Sequence, residues 1–170
     1  HISMINAEID DFNIGDFNAD VEYRNTLLKF SRLIGWIGKP QIKLQQKSQL
    51  SGFLNFNFTD STLEGNLHSS RLNGADILPI INKKFNIPFE FSGLGEAEVD
   101  FNGPFNFWKL AYNLKSEFHS GILAGESFTR LDLNLTANGT DISFNKVILE
   151  KLKSPGPYIL PQRVTATGTP

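Results

Sequence analysis

From Phe89 to Ala137 apolar and polar residues alternate, with glycines interrupting the apolar positions and no charge among them. One parity carries Phe89, Phe91, Gly93, Gly95, Ala97, Val99 and Phe101, then Trp108, Leu110, Tyr112, Leu114 and Phe118, then Leu131, Leu133, Leu135 and Ala137. Side chains alternate across a strand, so each run predicts a ribbon with one apolar and one polar face. Asn138-Gly139, between Leu131–Ala137 and Ile142–Leu149, predicts a tight hairpin, and Asn102-Gly103-Pro104 predicts a turn.

The remaining chain reads less uniformly. Short strands are expected over Ile9–Tyr23, where Phe17, Ala19, Val21 and Tyr23 share a parity. The period then changes: Leu27, Phe30, Leu33, Ile34 and Ile37 predict an amphipathic helix over 26–37, with Lys29 and Arg32 opposite and Gly38-Lys39-Pro40 as a stop. Such a helix either packs on a sheet or, given Arg24, Lys29, Arg32, Lys39 and Trp36, lies on an anionic membrane surface. Strands resume at Ile42 and Leu44, at Leu54, Phe56 and Phe58, and at Leu63, Gly65 and Leu67, with a turn at Asp60-Ser61. A second short helix is expected over 75–85, starting near Asp76 and ending before Pro88. Ser154–Pro161 reads as a proline-rich loop, and Val164–Thr167 as a terminal strand with no evident partner.

Composition narrows the function classes. A chain of 170 residues that is 40% hydrophobic and 20% charged has the composition of a single globular domain. The net charge of −2 argues against a nucleic-acid partner, which would call for a clustered basic surface. There are no cysteines, so disulfides and thiolate chemistry are excluded. Aromatic usage is lopsided, with 15 Phe against 3 Tyr and 2 Trp, and Phe brings apolar area without a polar handle. The apolar runs Leu33–Ile37 and Ile77–Ile81 are far shorter than the roughly 18 residues of a membrane span. His1–Ser3, ahead of Met4, read as a cloning remnant, leaving 4–170 as one β-rich fragment of a larger, repeat-like protein.

Within this pattern, Asn73–Phe128 resembles a unit of the AsmA-like superfamily of bacterial envelope proteins, which includes TamB. The residues that carry the resemblance are a short helix at Gly74-Ala75-Asp76-Ile77-Leu78-Pro79-Ile80-Ile81, a glycine-led strand from Gly93 to Gly103, an amphipathic strand from Leu110 to Phe118, and a turn at Gly121-Ile122-Leu123-Ala124-Gly125. Leu50–Leu72 echoes it more weakly. The resemblance implies a periplasmic protein anchored in the inner membrane, whose sheet curls into an oil-lined trough (a β-taco). It also implies a role in lipid movement between the membranes or in outer-membrane protein assembly.

Chemistry-bearing constellations are scarce. No Gly-x-Ser-x-Gly elbow, His-Glu-x-x-His pair or phosphate-cradling loop is present, and His68 and His119 take the polar parity of their strands. Glu96, Glu98 and Asp100 share one face and read as a solvated outer surface rather than a cation site. Three Asn-x-Thr sequons, at Asn57, Asn134 and Asn138, would be glycan acceptors in a eukaryotic secretory protein and carry no meaning in a bacterial envelope protein.

The expectation is therefore an all-β, non-enzymatic fragment with one or two short helices and no cofactor. Its curled, elongated, mostly antiparallel sheet forms a trough lined by Phe89, Phe91, Val99, Phe101, Trp108, Leu110, Tyr112, Leu114, Phe118, Leu131, Leu133 and Leu135. Expected partners are a phospholipid or other acyl-chain ligand, an outer-membrane β-barrel protein, and a second copy paired edge to edge. The rival is a closed β-sandwich serving as a structural or protein-binding module of the cell envelope or surface.

Overall fold

The structure, a computed structural model, describes residues 1–9, 12–37, 47–78, 90–106, 109–139, 141–151 and 163–166. The described residues form one ten-stranded sheet in sequence order: β1 (Ile2–Ile9), β2 (Phe12–Arg24), β3 (Leu27–Ile37), β4 (Ser48–Asn57), β5 (Thr62–Asn73), β6 (Phe91–Pro104), β7 (Ala111–Leu123), β8 (Glu126–Asn138), β9 (Asp141–Lys151) and β10 (Arg163–Ala166). Every neighbouring pair is antiparallel. The sheet is open, with β1 bonded to β2 alone and β10 to β9 alone. The described strands make one sheet, not the two stacked sheets of the rival sandwich.

The alternation places the apolar residues together because the register keeps parity from strand to strand. Phe101 lies opposite Tyr112 and Val99 opposite Leu114 across β6 and β7; Leu114 lies opposite Leu135 and Phe118 opposite Leu131 across β7 and β8. The row continues outward, with Leu67 beside Val99 and Leu149 beside Leu131. The other face is polar, as in the row Asn66, Asp100, Asn113, Thr136.

The segment 26–37 is not a helix but β3, a correction with a local cause. Between the pairs Phe30–Leu54 and Leu33–Gly52, β3 carries one residue more than β4, a bulge at which Arg32 adopts φ 51°. The bulge shifts the inward parity from Leu28 and Phe30 to Leu33, Gly35 and Ile37. The resulting three-residue step mimics helical spacing. Ile34, counted in the helical stripe, belongs to the outer face and is 39% exposed. A helix on an anionic surface at 26–37 is withdrawn with it.

Other expectations are adjusted in smaller ways. Helix is present at 74–78; the remainder of the 75–85 prediction, like Ile42, Leu44 and Ser154–Pro161, lies outside the described residues. The terminal strand does have a partner, since Val164 lies opposite Leu149 of β9. β6 runs through Asn102-Gly103 to Pro104, because Gly103 still pairs with Leu63, and the chain turns only at Phe105. β8 and β9 join around Gly139, and β7 and β8 at Ala124-Gly125. No described helix is long and apolar enough to cross a membrane.

The sheet curls toward its apolar face. Phe105, beyond β6, reaches Phe56 of β4 and Phe58 at ring-centroid distances of 5.8 and 5.7 Å. Bulges bend strands and raise their twist, and here register shifts recur in most neighbouring pairs, from β1–β2 to β8–β9.

Candidate functional site

The site follows from how phenylalanines sit on glycines. Gly65 lies opposite Phe101, Gly95 opposite Phe118 and Gly121 opposite Phe128 in adjacent strands. A Cβ at Gly65 would stand 2.6 Å from the Phe101 ring, at Gly95 2.8 Å from Phe118 Cδ1, and at Gly121 2.7 Å from Phe128 Cζ. Phe91 covers Gly74 in the same way, at 2.5 Å. At Gly65 and Gly74 the missing side chain makes room for the ring itself, whereas at Gly95 and Gly121 it first makes room for the main chain of the neighbouring strand, the carbonyl oxygens of Glu117 and Ser92. This accounts for both the glycine interruptions and the excess of Phe over Tyr and Trp.

Along the strands the apolar face divides into two halves. At the end near the β7–β8 turn, Leu72, Phe118, Phe128 and Leu131 form a closed cluster, each at most 4% exposed, joined by Leu50, Ile77, Phe91, Leu123 and Leu149. Phe91 meets Phe118 edge to face at 4.9 Å. The helix at 74–78 caps this end with Ile77. It is fixed by Asp76, whose Oδ2 accepts from Ser48 Oγ at 2.8 Å, while Ser48 Oγ accepts from the Asn73 backbone N–H at 2.8 Å. Buried Ser48 thus ties the helix to the start of β4.

Toward the other end the face opens. Val99, Phe101, Tyr112, Leu114 and Leu135 are only half-buried, although they share the face and its register, and Phe144 and Ile142 beside them on β9 are 47% and 44% exposed. Past them stand the rings of Tyr23, Phe58 and Phe105, all exposed, in edge contacts of 6.4 and 5.7 Å. Partial burial pushes the Tyr112 phenol up to about 12, because the phenolate would lose its hydration there.

Ten of the twelve predicted lining residues fall within the described residues, and all ten lie on this one face; Phe89 and Trp108 lie outside. Phe91, Phe118, Leu131 and Leu133 belong to the closed cluster rather than the open half. Leu110 is buried where β7 begins, against Gly103. The sequence reading missed Phe128, the most buried large side chain. It joins the face because bulges next to Ser120 in β7 and Thr129 in β8 reverse the parity of both strands. Phe30, Leu54 and Leu67 on the early strands extend the same face.

The outer face carries the ionic structure. Arg130 donates to both Asp132 oxygens, at 2.7 and 3.0 Å, and Lys146 donates to Oδ2 at 3.1 Å. Burial alone would raise the Asp132 carboxyl, but these hydrogen bonds outweigh it and hold the carboxyl below its usual range. Glu117 also faces Arg130, at 3.4 Å. A shallow cleft of about 300 Å³ beside these groups is lined by His68, Glu96, Glu98, Lys115 and Lys146. Among the described residues no three His, Asp or Glu side chains are placed to hold a metal. Glu98 and Asp100 instead accept from Asn66 Nδ2, at 3.2 and 2.7 Å. These contacts tie strand to strand.

Comparisons with protein-family models, with curated proteins and with solved structures give no match to this chain.

Proposed function

We propose that this chain is a periplasmic segment of an AsmA/TamB-like envelope protein whose trough shields lipid acyl chains during movement between membranes. One observation carries the reading: a continuous, uncharged apolar face, spread over consecutive strands, is half-open along part of its length while the opposite face is ionic. Soluble monomers rarely leave contiguous apolar surface beyond a few hundred Å² without a use for it. An acyl chain suits an uncharged face whose inward hydroxyls, Ser69 and Ser116, are buried, whereas an incoming strand would look for backbone partners at the sheet edges. The resemblance of Asn73–Phe128 to AsmA-like units adds the periplasmic setting and the inner-membrane anchor. Nascent outer-membrane strands, delivered to a β-barrel partner, are the second cargo consistent with that family.

Photocrosslinking tests the reading. A benzophenone amino acid at Phe101 or Tyr112, expressed in a bacterial envelope, is expected to capture lipid, while the same group at Glu98 or Asn113, on the opposite face, is not. Equal labelling on both faces, or none at the inner positions, contradicts it.

A further inference from the structure

We infer that the rim of the trough at the β2–β3 and β4–β5 turns holds a zwitterionic headgroup, a phosphate ester bearing an ammonium, so that the cargo is a phospholipid of that class. The inference rests on the acyl-chain reading above and adds the class of lipid to it. Its basis is a cleft of about 540 Å³ on the polar side of these turns, lined by Glu22, Arg24, Lys29 and Asp60 together with Thr26 and Asn57. Acids and bases line it in equal number, yet among the described residues none of the four makes an ion pair, although Glu22 and Lys29 lie opposite each other in register. An anion alone would meet Glu22 and Asp60 there, and a cation alone would meet Arg24 and Lys29. A ligand that carries both charges finds a partner for each. The cleft is held in shape by bonds between the two turns: Thr26, at φ 64°, shares a hydroxyl hydrogen bond with Thr59, and its backbone oxygen accepts from the Phe58 N–H at 2.9 Å.

Aromatic rings join this cleft to the apolar face. Alternation along β2 puts the Tyr23 ring on the inner side, while its neighbours Glu22 and Arg24 face the cleft. Tyr23 meets Phe58 at 6.4 Å, Phe58 meets Phe105 at 5.7 Å, and Phe105 meets the half-buried Phe56 at 5.8 Å. These rings pave an apolar path from the face to the rim, so a lipid keeps its tail inside while its headgroup crosses the turn to the charged cleft. Tyr23 and Phe58, 65% and 49% exposed, add π-systems that attract an ammonium and not a phosphate.

The test is displacement of a fluorescent fatty acid from the purified chain by monomeric lysophospholipids that share one acyl chain and differ in headgroup, lysophosphatidylethanolamine (zwitterionic) against lysophosphatidylglycerol (anionic). The zwitterionic lipid is expected to bind about fivefold tighter, as one further exposed ion pair allows. Glu22→Gln, on an exposed side chain, is expected to erase that preference, whereas Glu98→Gln, on the polar face of β6 and outside the cleft, keeps it. Glycerophosphoethanolamine, the headgroup without a tail, is expected to displace nothing; displacement by it would assign the cleft to a soluble phosphate ester and overturn the phospholipid class. Equal affinities in the parent, a preference that Glu22→Gln leaves intact, or failure of both lipids to displace a bound probe overturns the headgroup site while leaving the acyl-chain reading standing. Failure of the fatty acid itself to bind overturns the acyl-chain reading.

Discussion

Glycine at 95 and glycine at 125 do different work, and the difference is measurable. A methyl group at Gly95 meets main-chain atoms of β7, including Phe118 Cα at 2.7 Å, which move only if two strands separate. At Gly125 nothing lies within 4 Å, and the cost of a side chain comes from its φ of 81° alone. Gly125→Ala should thus cost about 1 kcal/mol, the left-handed penalty, whereas Gly95→Ala should cost about 3 kcal/mol, at the upper end of overpacking. Urea unfolding of the two variants checks the order; equal losses would mean that the ring-on-glycine contacts are not tight. Tyr112 offers a second test. Its folded-state value lies above the ordinary one, so its contribution to stability is fully present below about pH 10 and is lost as pH rises toward 12. Tyr112→Phe should flatten that alkaline decline, as seen by thermal unfolding across the same pH range.

β3 shows how a single element escapes a sequence reading. A period-2 pattern survives only while the register is unbroken, and β6, whose odd residues from Phe91 to Gly103 keep one parity, was legible for that reason. In β3 one extra residue converts two-residue spacing into a three-residue step, and the pattern reads as helix although Ile34, Ile37 and Trp36 favour strand. Phe128 was missed through the same mechanism, with bulges rather than composition deciding which side it faces. Removing the bulge should therefore leave the flanking pairs in register on both sides. Deletion of Arg32 restores two-residue spacing between Phe30 and Leu33, keeps both on the apolar face opposite Leu54 and Gly52, and should preserve cooperative unfolding. Arg32→Gly relieves a positive φ and loses only an exposed ion pair with Asp20, so it should stay within about 1 kcal/mol of the parent. Loss of cooperative unfolding in the deletion variant would contradict this placement of the bulge.

At the scale of the molecule, the open meander of the described residues leaves β1 and β10 with one edge each that no described strand pairs, the feature behind the expected pairing of copies edge to edge. The more consequential feature is that one layer of sheet carries two faces of opposite character. A natural sequence without cysteine allows this to be read position by position along β8. Single cysteines at Asp132 through Ala137, excluding none, can be labelled with a polarity-sensitive fluorophore and titrated with oleic acid. The account predicts a blue shift on ligand addition at Leu133, Leu135 and Ala137 and none at Asp132, Asn134 and Thr136, an alternation of period two. A uniform response along the strand, or shifts confined to the even positions, would contradict a trough that holds acyl chains on its apolar face.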